Sequence, residues 1–393
     1  MKLARLFILL SLALVSVHAL PQQQEGVRVS LVTCSPGDEV YSLYGHTAIR
    51  CTDTAKGLDL AFNYGVFSFN QPHFIWNFVL GKCDYMLCPV EWDYFLLEYR
   101  ERGSSVTEQV LNLMPDEASN LLAELLVGCR MENRRYRYNF LFNNCTTKVR
   151  DAIEHNVAGH VVYPDTIPLH TFRQMLRQYA SRNQWAQEGN DLLLGADVDT
   201  MLTARSAMFA PEYMMRYAAN AVIRQDNNDS RPLVAYTCEV LPKRNGGEIR
   251  PFPLQPLPAA LCFLALCLAL VAVERWLNLM LWPWDVLLLL AQGSVGCLLL
   301  FMSVFSQHPG VGHNWLLWLF NPLALFFLRK VAVAASRRGK TLWHAVHFSY
   351  LTLFMIFSPW IPQDFGNIVV PLALAFMTRP FSYYLYYRKN RIR

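Results

Sequence analysis

The sequence predicts an α+β domain over residues 20–230, a linker over 231–257 and an α-helical membrane bundle of five spans over 258–393. Three observations predict this. Up to about residue 230, segments with the two-residue alternation of half-buried strands are interleaved with segments of helical period. From about 257 onward, apolar runs close to the length a bilayer requires follow one another. Finally, the basic residues of that second half sit in alternate connections only.

Lys2 and Arg5, followed by the apolar run 6–17 and by Val17-His18-Ala19, have the pattern of a secretory signal peptide cut after Ala19. A first strand follows over 27–33, turned by Ser35-Pro36-Gly37-Asp38, and a second over 41–51 carries His46 just after Gly45. A third strand over 58–64 places Asn63 where its amide would orient His46; Asp59 and Asp84 are rivals for that role. The run 67–80 is dense in aromatics, with Phe67, Phe69, Phe74, Trp76 and Phe78, and reads as core in preference to a surface that meets acyl chains. A strand over 82–87 and helices over 92–100 and 115–127 come next, the latter with Pro115 in its first turn and Gly128 at its end.

Between 136 and 151 the period changes. Tyr136, Tyr138, Phe140 and Phe142 alternate as in a strand, whereas Val149, Ala152 and Ile153 share a helical face with Cys145. Asn144 is then the N-cap, and Cys145 lies in the first turn, where unpaired N–H groups and the positive end of the helix dipole favour a thiolate. That is where a nucleophile belongs, and His46 is the base the sequence offers. Taken singly, each residue has a plainer reading, a small core hydrophobe for the cysteine and a satisfied polar group for the histidine. Further helices are predicted over 168–179 and 208–223. The Gly- and Asp-containing stretch 189–197 between them fits no calcium loop and reads as a turn.

The five spans lie near 258–274, 284–305, 315–329, 342–360 and 363–380, the third interrupted by Asn321-Pro322 and the fifth ending at Arg379 or running on to Tyr387. Eleven Lys and Arg residues follow residue 258, all in alternate connections or at the C-terminus, and the loops 306–314 and 361–367 contain none. The positive-inside rule therefore puts the basic loops in the cytoplasm and residues 20–257 on the outer face, in agreement with the signal peptide. Without Lys2 and Arg5 the part before 258 has 22 basic and 27 acidic residues, a balance that argues against nucleic acid as a partner. Seven of the ten cysteines precede the spans: Cys34, Cys51, Cys83, Cys88, Cys129, Cys145 and Cys238. An odd number in an oxidising compartment leaves at least one free thiol, assigned here to Cys145, with up to three disulfides among the others. Their spacings do not resemble a zinc site.

The order of a strand histidine before a helix-start cysteine is that of circularly permuted papain-like folds, and the Tyr-x-Tyr…Asn-Cys run is similar to the cysteine box of lecithin–retinol acyltransferases and NlpC-type relatives. The chain more closely resembles the Lnb family, lipoprotein N-acyltransferases of Bacteroides-type bacteria. The likeness rests on Tyr44-Gly45-His46-Thr47-Ala48-Ile49-Arg50, Phe62-Asn63-Tyr64-Gly65, Gly81-Lys82-x-Asp84-Tyr85, Tyr138 to Thr147, Gly189-x-Asp191, Leu194-Gly195 and Phe209-Ala210-Pro211. In the membrane half it extends to His308-Pro309, Asn314 and Asn321-Pro322-Leu323; Cys83, Cys88 and Cys129 are extra thiols outside the pattern.

The resemblance implies an inner-membrane enzyme with its catalytic domain in the periplasm. It implies catalytic roles for Cys145, His46 and Asn63, substrate contacts at Tyr44, Asn144, His308 and Asn314, and neither metal nor cofactor. A membrane phospholipid would be the acyl donor and a diacylated lipoprotein the acceptor, linked by a Cys145 thioester. The alternatives are a membrane-bound thiol hydrolase, phospholipase or peptidase, and a non-catalytic envelope scaffold with Cys145 in a disulfide. The charge pattern makes its own prediction: reporters fused after Ser336 and Arg393 are expected to read as cytoplasmic, and those after Gly310 and Asp364 as external. An external C-terminus would break the five-span arrangement.

Overall fold

Apolar residues alternate along β1 (Arg28–Cys34) because both its faces are covered: Val29 and Leu31 enter one core, Val32 and Cys34 another. The computed structural model containing this strand describes residues 26–391 apart from 38, 40–41, 69, 71, 166–169, 226–228, 245–251 and 337–340. The expected signal peptide, the start of the helix expected from Pro168 and the Gly246-Gly247 part of the expected linker therefore lie outside the described residues.

β1 lies inside a seven-stranded antiparallel sheet with β2 (His46–Asp53), β3 (Leu58–Val66), β4 (Asp84–Glu91), β5 (Val106–Leu111), β6 (Arg135–Arg137) and β10 (Val234–Leu241), in the order β10-β5-β1-β2-β3-β4-β6. A second sheet joins β7 (His160–Val162), β8 (Val222–Arg224) and β9 (Ser230–Pro232). The helices of the domain are α1 (Phe74–Val79), α2 (Trp92–Arg102), α3 (Pro115–Gly128), α4 (Cys145–Asn156), α5 (Phe172–Ala180), α6 (Gln184–Leu193), α7 (Ala204–Ala207) and α8 (Pro211–Ala219). α4 packs on β2 and β3 with α3 beside it, and α8 packs on β1. Trp92, Phe95 and Tyr99 of α2 cover the other face. The α+β expectation holds, and its departures have local causes. The strand expected over 136–142 stops at Arg137, because Asn139 Oδ1 accepts the N–H groups of Leu141 and Phe142 and bends the chain into a turn. The helix expected over 208–223 is only α8, which opens at Pro211 and gives way to β8. Within the expected linker, residues 234–241 are the edge strand β10, paired with β5.

The second half contains α9 (Pro256–Leu277), α10 (Trp282–Phe305), α11 (Leu323–Ser336), α12 (Leu342–Phe357) and α13 (Val369–Arg391). α9 and α10 are each long and apolar enough to cross a membrane. The third expected span is broken: a 3-10 turn at Trp315–Leu317 precedes Pro322, which has no N–H to donate, and the helix restarts at Leu323. The fifth starts later than expected and runs on past Arg379 with Pro380 inside it. Arg379 is not a loop cation either. It is buried in α13 and bound to Glu274 and Asp285, so it ties α9, α10 and α13 together at the end remote from the sheet domain.

The two halves dock through a buried ion network. The fully buried Arg173 guanidinium contacts Asp191 at 3.0 Å and Asp199 at 2.8 Å, and donates to the carbonyls of Leu194 and Gly195. Arg177 bridges Asp191 to Asp364 in the loop before α13. Gly195 N–H donates to Gly310 C=O and Ala196 N–H to His313 C=O, so backbone meets backbone across the junction. The stretch 189–197, expected as a turn, is thus the end of α6 and a docking loop in which Asp191 pairs with two arginines and Asp197 bonds His313. Removing one member of a buried pair leaves an uncompensated charge and costs about 3–5 kcal/mol. Arg173→Met is therefore expected to lower the thermal midpoint in detergent far more than Arg102→Met, which breaks an exposed helical pair worth less than about 1 kcal/mol; equal shifts would refute the network's role.

Candidate active site

The site begins with a glycine. Gly45 adopts φ +78°, and a Cβ there would stand 2.6 Å from the carbonyl oxygen of Cys34, so only glycine turns the chain into β2 at this point. His46 consequently opens β2, opposite Cys34 in the register. Its ring lies parallel to that of Tyr99, with centroids 6.3 Å apart, and its Nε2 is 3.1 Å from Oδ1 of the buried Asn63 on β3.

Asn144 fixes the other half. As N-cap of α4 it accepts N–H groups from Thr146 and Thr147, both at 2.9 Å, while its own amide donates to the carbonyls of Phe140 and Phe209. Cys145 is thereby held as the first residue of α4, and its thiol and the His46 imidazole act on each other's titration. With Nε2 engaged by Asn63, Nδ1 is the nitrogen left to the sulfur. Burial alone would push the thiol up, but the His46 charge and hydrogen bond, the Thr47 backbone N–H and the Thr146 hydroxyl outweigh it and hold Cys145 below the ordinary thiol range. Burial likewise opposes the imidazolium, yet the Cys145 thiolate and the Asn63 amide raise His46 above its usual value. Both shifts move the pair toward thiolate and imidazolium, the form in which a cysteine nucleophile attacks with its acid already charged.

The structure brings Cys145, His46 and Asn63 together. It gives the rival carboxylates other partners: Asp59 pairs with Arg50 at 2.7 Å and Asp84 with Arg137 at 2.6 Å. Tyr44 packs edge-on against Phe140, and its hydroxyl accepts from Asn190. The expected substrate contacts at Asn144 and Asn314 are corrected by burial. Both side chains are 4% exposed, and their polar atoms serve the chain itself, Asn314 by capping the 3-10 turn at Leu316 and donating to Leu192 C=O. His308 Nε2 donates to Phe78 C=O at 2.6 Å, and burial lowers its pKa. All ten cysteines are free thiols, so the expected disulfides are absent. Cys34 and Cys51 enter the two different cores on opposite sides of the sheet, which prevents them from pairing with each other.

Sequence reasoning missed four neighbours of Cys145: Thr146, Gly65, Tyr136 and Tyr138. Thr146 Oγ1 lies 3.8 Å from Sγ and 3.1 Å from the Thr47 hydroxyl. Gly65 adopts φ +90°, and a Cβ there would sit 3.6 Å from Cys145 Cβ, 3.8 Å from Tyr138 and 3.9 Å from the Tyr136 hydroxyl. That hydroxyl oxygen is buried with no hydrogen-bond partner among the described residues. The alternation of Tyr136 and Tyr138 marked them as strand residues; only the fold reveals that they flank the thiol.

Two family descriptions match the chain: the Lnb N-terminal periplasmic domain over residues 22–178 and the Lnb transmembrane domain over 248–390. The chain belongs to the Lnb family. It is accordingly a membrane protein tied to lipoprotein biosynthesis, with a periplasmic domain that contains the Cys145–His46–Asn63 constellation. No curated protein and no solved structure matches the chain. For this Lnb-family site, alkylation of Cys145 is expected to persist at pH values below the range where ordinary thiols react. His46→Gln removes what lowers the thiol pKa and leaves the burial that raises it, so alkylation at pH 7 should fall at least about tenfold. Asn63→Ala, which removes an orienting group, should fall less. An unchanged rate in His46→Gln would remove His46 from the pair.

Proposed function

We propose that this Lnb-family protein is a cysteine-dependent lipoprotein N-acyltransferase of the inner membrane, multi-pass, with its thiol in the periplasm and a permuted papain-like arrangement of cysteine, histidine and asparagine. The observation that carries the reading is the Cys145 thiol at a helix start, its pKa lowered by a histidine that an asparagine orients, in a domain docked on membrane helices.

In the first step the Cys145 thiolate attacks the ester carbonyl of a phospholipid. The tetrahedral intermediate collapses as His46 gives its proton to the departing lysophospholipid oxygen, leaving a thioester and a neutral imidazole. In the second, the neutral α-amine of an N-terminal diacylglyceryl-cysteine attacks the thioester carbonyl. His46 takes the amine proton, the amide forms, and the thiolate leaves to restore the pair.

Each step needs donors for the oxyanion. Because the Thr146 and Thr147 N–H groups already bind Asn144 Oδ1, the first turn of α4 has the Cys145 N–H to offer. We assign the second donor to Tyr136, whose buried hydroxyl lacks a partner beside Gly65. Burial and the Cys145 charge hold that phenol well above its ordinary pKa, so it stays protonated and able to donate.

A phospholipase or peptidase using the same pair differs only in the acceptor. The scaffold alternative, which needs Cys145 in a disulfide, does not fit a free thiol whose pKa a histidine lowers. Purified protein given phospholipid alone is expected to accumulate an acyl adduct on Cys145 that hydroxylamine removes. A diacylated lipopeptide with a free amine should discharge it to a triacylated product with stoichiometric lysophospholipid, whereas an N-acetylated lipopeptide should not. Cys145→Ala should form no adduct, and Tyr136→Phe should slow acylation by about 10²–10³, the usual cost of losing one oxyanion donor. Fatty-acid release at one rate with or without lipopeptide would make the protein a hydrolase.

A further inference from the structure

The aromatic run expected as core is not core. None of the residues of α1 is buried, and Ile75, Trp76 and Phe78 are 78%, 56% and 50% exposed. Yet α1 is firmly held. Ser306 Oγ donates to Val79 C=O at 2.7 Å, Gln307 N–H to Leu80 C=O at 2.9 Å, and His308 Nε2 to Phe78 C=O. At Gly81 a Cβ would come within 2.5 Å of the His308 nitrogen, so the two backbones are in direct contact. A short apolar helix anchored against the end of α10 with its side chains unburied needs something apolar beside it.

Between α1 and α10 lies an open groove of about 810 Å³, lined by Phe74, Ile75, Trp76, Val79, Leu298 and Phe301, with His73 at its edge. Its second wall belongs to a helix long and apolar enough to cross the membrane, whose outer turns expose Leu298, Leu300, Val304 and Phe305. The groove is therefore continuous with the lipid-facing surface, and the matter available to fill it is hydrocarbon chain. An aromatic path leads from it to the nucleophile. Trp76 packs on Phe301 at 5.4 Å, and from Phe74 the contacts run to Phe67 at 5.9 Å, then Tyr85 at 4.7 Å and Tyr138 at 4.1 Å. Tyr138 and Cys145 flank the same face of Gly65.

We propose that the groove between α1 and α10 seats an acyl chain of the donor phospholipid and presents its ester to Cys145 along the aromatic path. The proposal rests on the acyl-transfer reading above and commits to the donor, because the groove opens to the bilayer and the thiol meets the donor first. An acyl chain fits a groove of this size, which lies within the range of roughly 300–1,000 Å³ common for ligand sites.

The test uses the full-length protein in vesicles of dipalmitoyl phosphatidylethanolamine. Leu298→Trp fills the groove and Trp76→Ala opens it; both positions are partly exposed, and an unaltered iodoacetamide rate at Cys145 checks that each variant is folded. The readout is the ratio of Cys145 acylation by that phospholipid to acylation by 4-nitrophenyl acetate, which has no chain to seat. Leu298→Trp is expected to lower the ratio about tenfold, as the misfit of a methylene or more in an apolar slot does, and dioctanoyl phospholipid should recover part of the loss. An unchanged ratio overturns the proposal. So does a loss confined to discharge by the diacylated lipopeptide, which would assign the groove to the acceptor. If wild-type protein is acylated by neither donor, the acyl-transfer reading fails, and the groove is then read by a phospholipid bearing a diazirine at its chain end in the Cys145→Ala protein. Photolabelling of residues 73–79 that Leu298→Trp diminishes supports the chain site, and labelling that is absent or unaltered refutes it.

Discussion

The arrangement of this protein depends on one buried cation. Arg173 holds the loop 191–199 by its carboxylates and by its carbonyls at once, and that loop meets the loop after α10 by backbone hydrogen bonds. Without Arg173, Asp191 and Asp199 would be close to each other with little solvent to screen them. Fixing this loop fixes the sheet domain on the membrane helices. The height of Cys145 over the bilayer, set by α4 and its cap, follows from that. A lipid ester lies at a definite depth, so a thiol that acts on it must be placed by rigid elements, and a flexible stalk would not suffice.

A second attachment joins α1 and Gly81 to residues 306–308, at the start of the same loop. That loop is thereby held by two segments of the sheet domain, residues 78–81 and 195–196. In the proposed acyl transfer, the stacked rings of Phe67, Tyr85 and Tyr138 are the apolar surface that keeps water from a Cys145 thioester. This is the condition under which an amine can compete with water for an acyl group.

Much of the site was legible in the sequence because its causes are local. The change from a two-residue to a helical period at Asn144-Cys145 marks a strand-to-helix junction, and a glycine before His46 marks a turn. What was illegible depends on distant partners. An apolar run such as 74–79 looks the same whether it is packed in a core or lines an open groove, and only Leu298 and Phe301, more than two hundred residues later, form the groove's other wall. Asn144 and Asn314 illustrate the same limit for polar residues. Each reads as a ligand contact until Phe209 C=O or Leu192 C=O, remote in sequence, is found to take its amide. The odd cysteine count pointed rightly to a free thiol, but pairing is a matter of geometry, and a sheet places Cys34 and Cys51 on opposite faces.

The cap of α4 shows a conflict that this fold had to resolve. A nucleophile at a helix start benefits from the exposed N–H groups of the first turn, but a helix start in a packed domain also needs a cap, and an Asn cap is worth about 1 kcal/mol or more. Here the cap takes two of those N–H groups. The helix is thereby secured at the expense of the oxyanion donors it could otherwise present. In the proposed mechanism the deficit is met by a group from outside the helix, close to the sulfur, protonated at neutral pH and with its proton not already donated. Tyr136 meets each requirement, and Gly65 is what allows it and Cys145 to approach the same point. A side chain at Gly65 would occupy the space between phenol and thiol and would force the left-handed backbone there into strain, so the glycine and the tyrosine belong to one device.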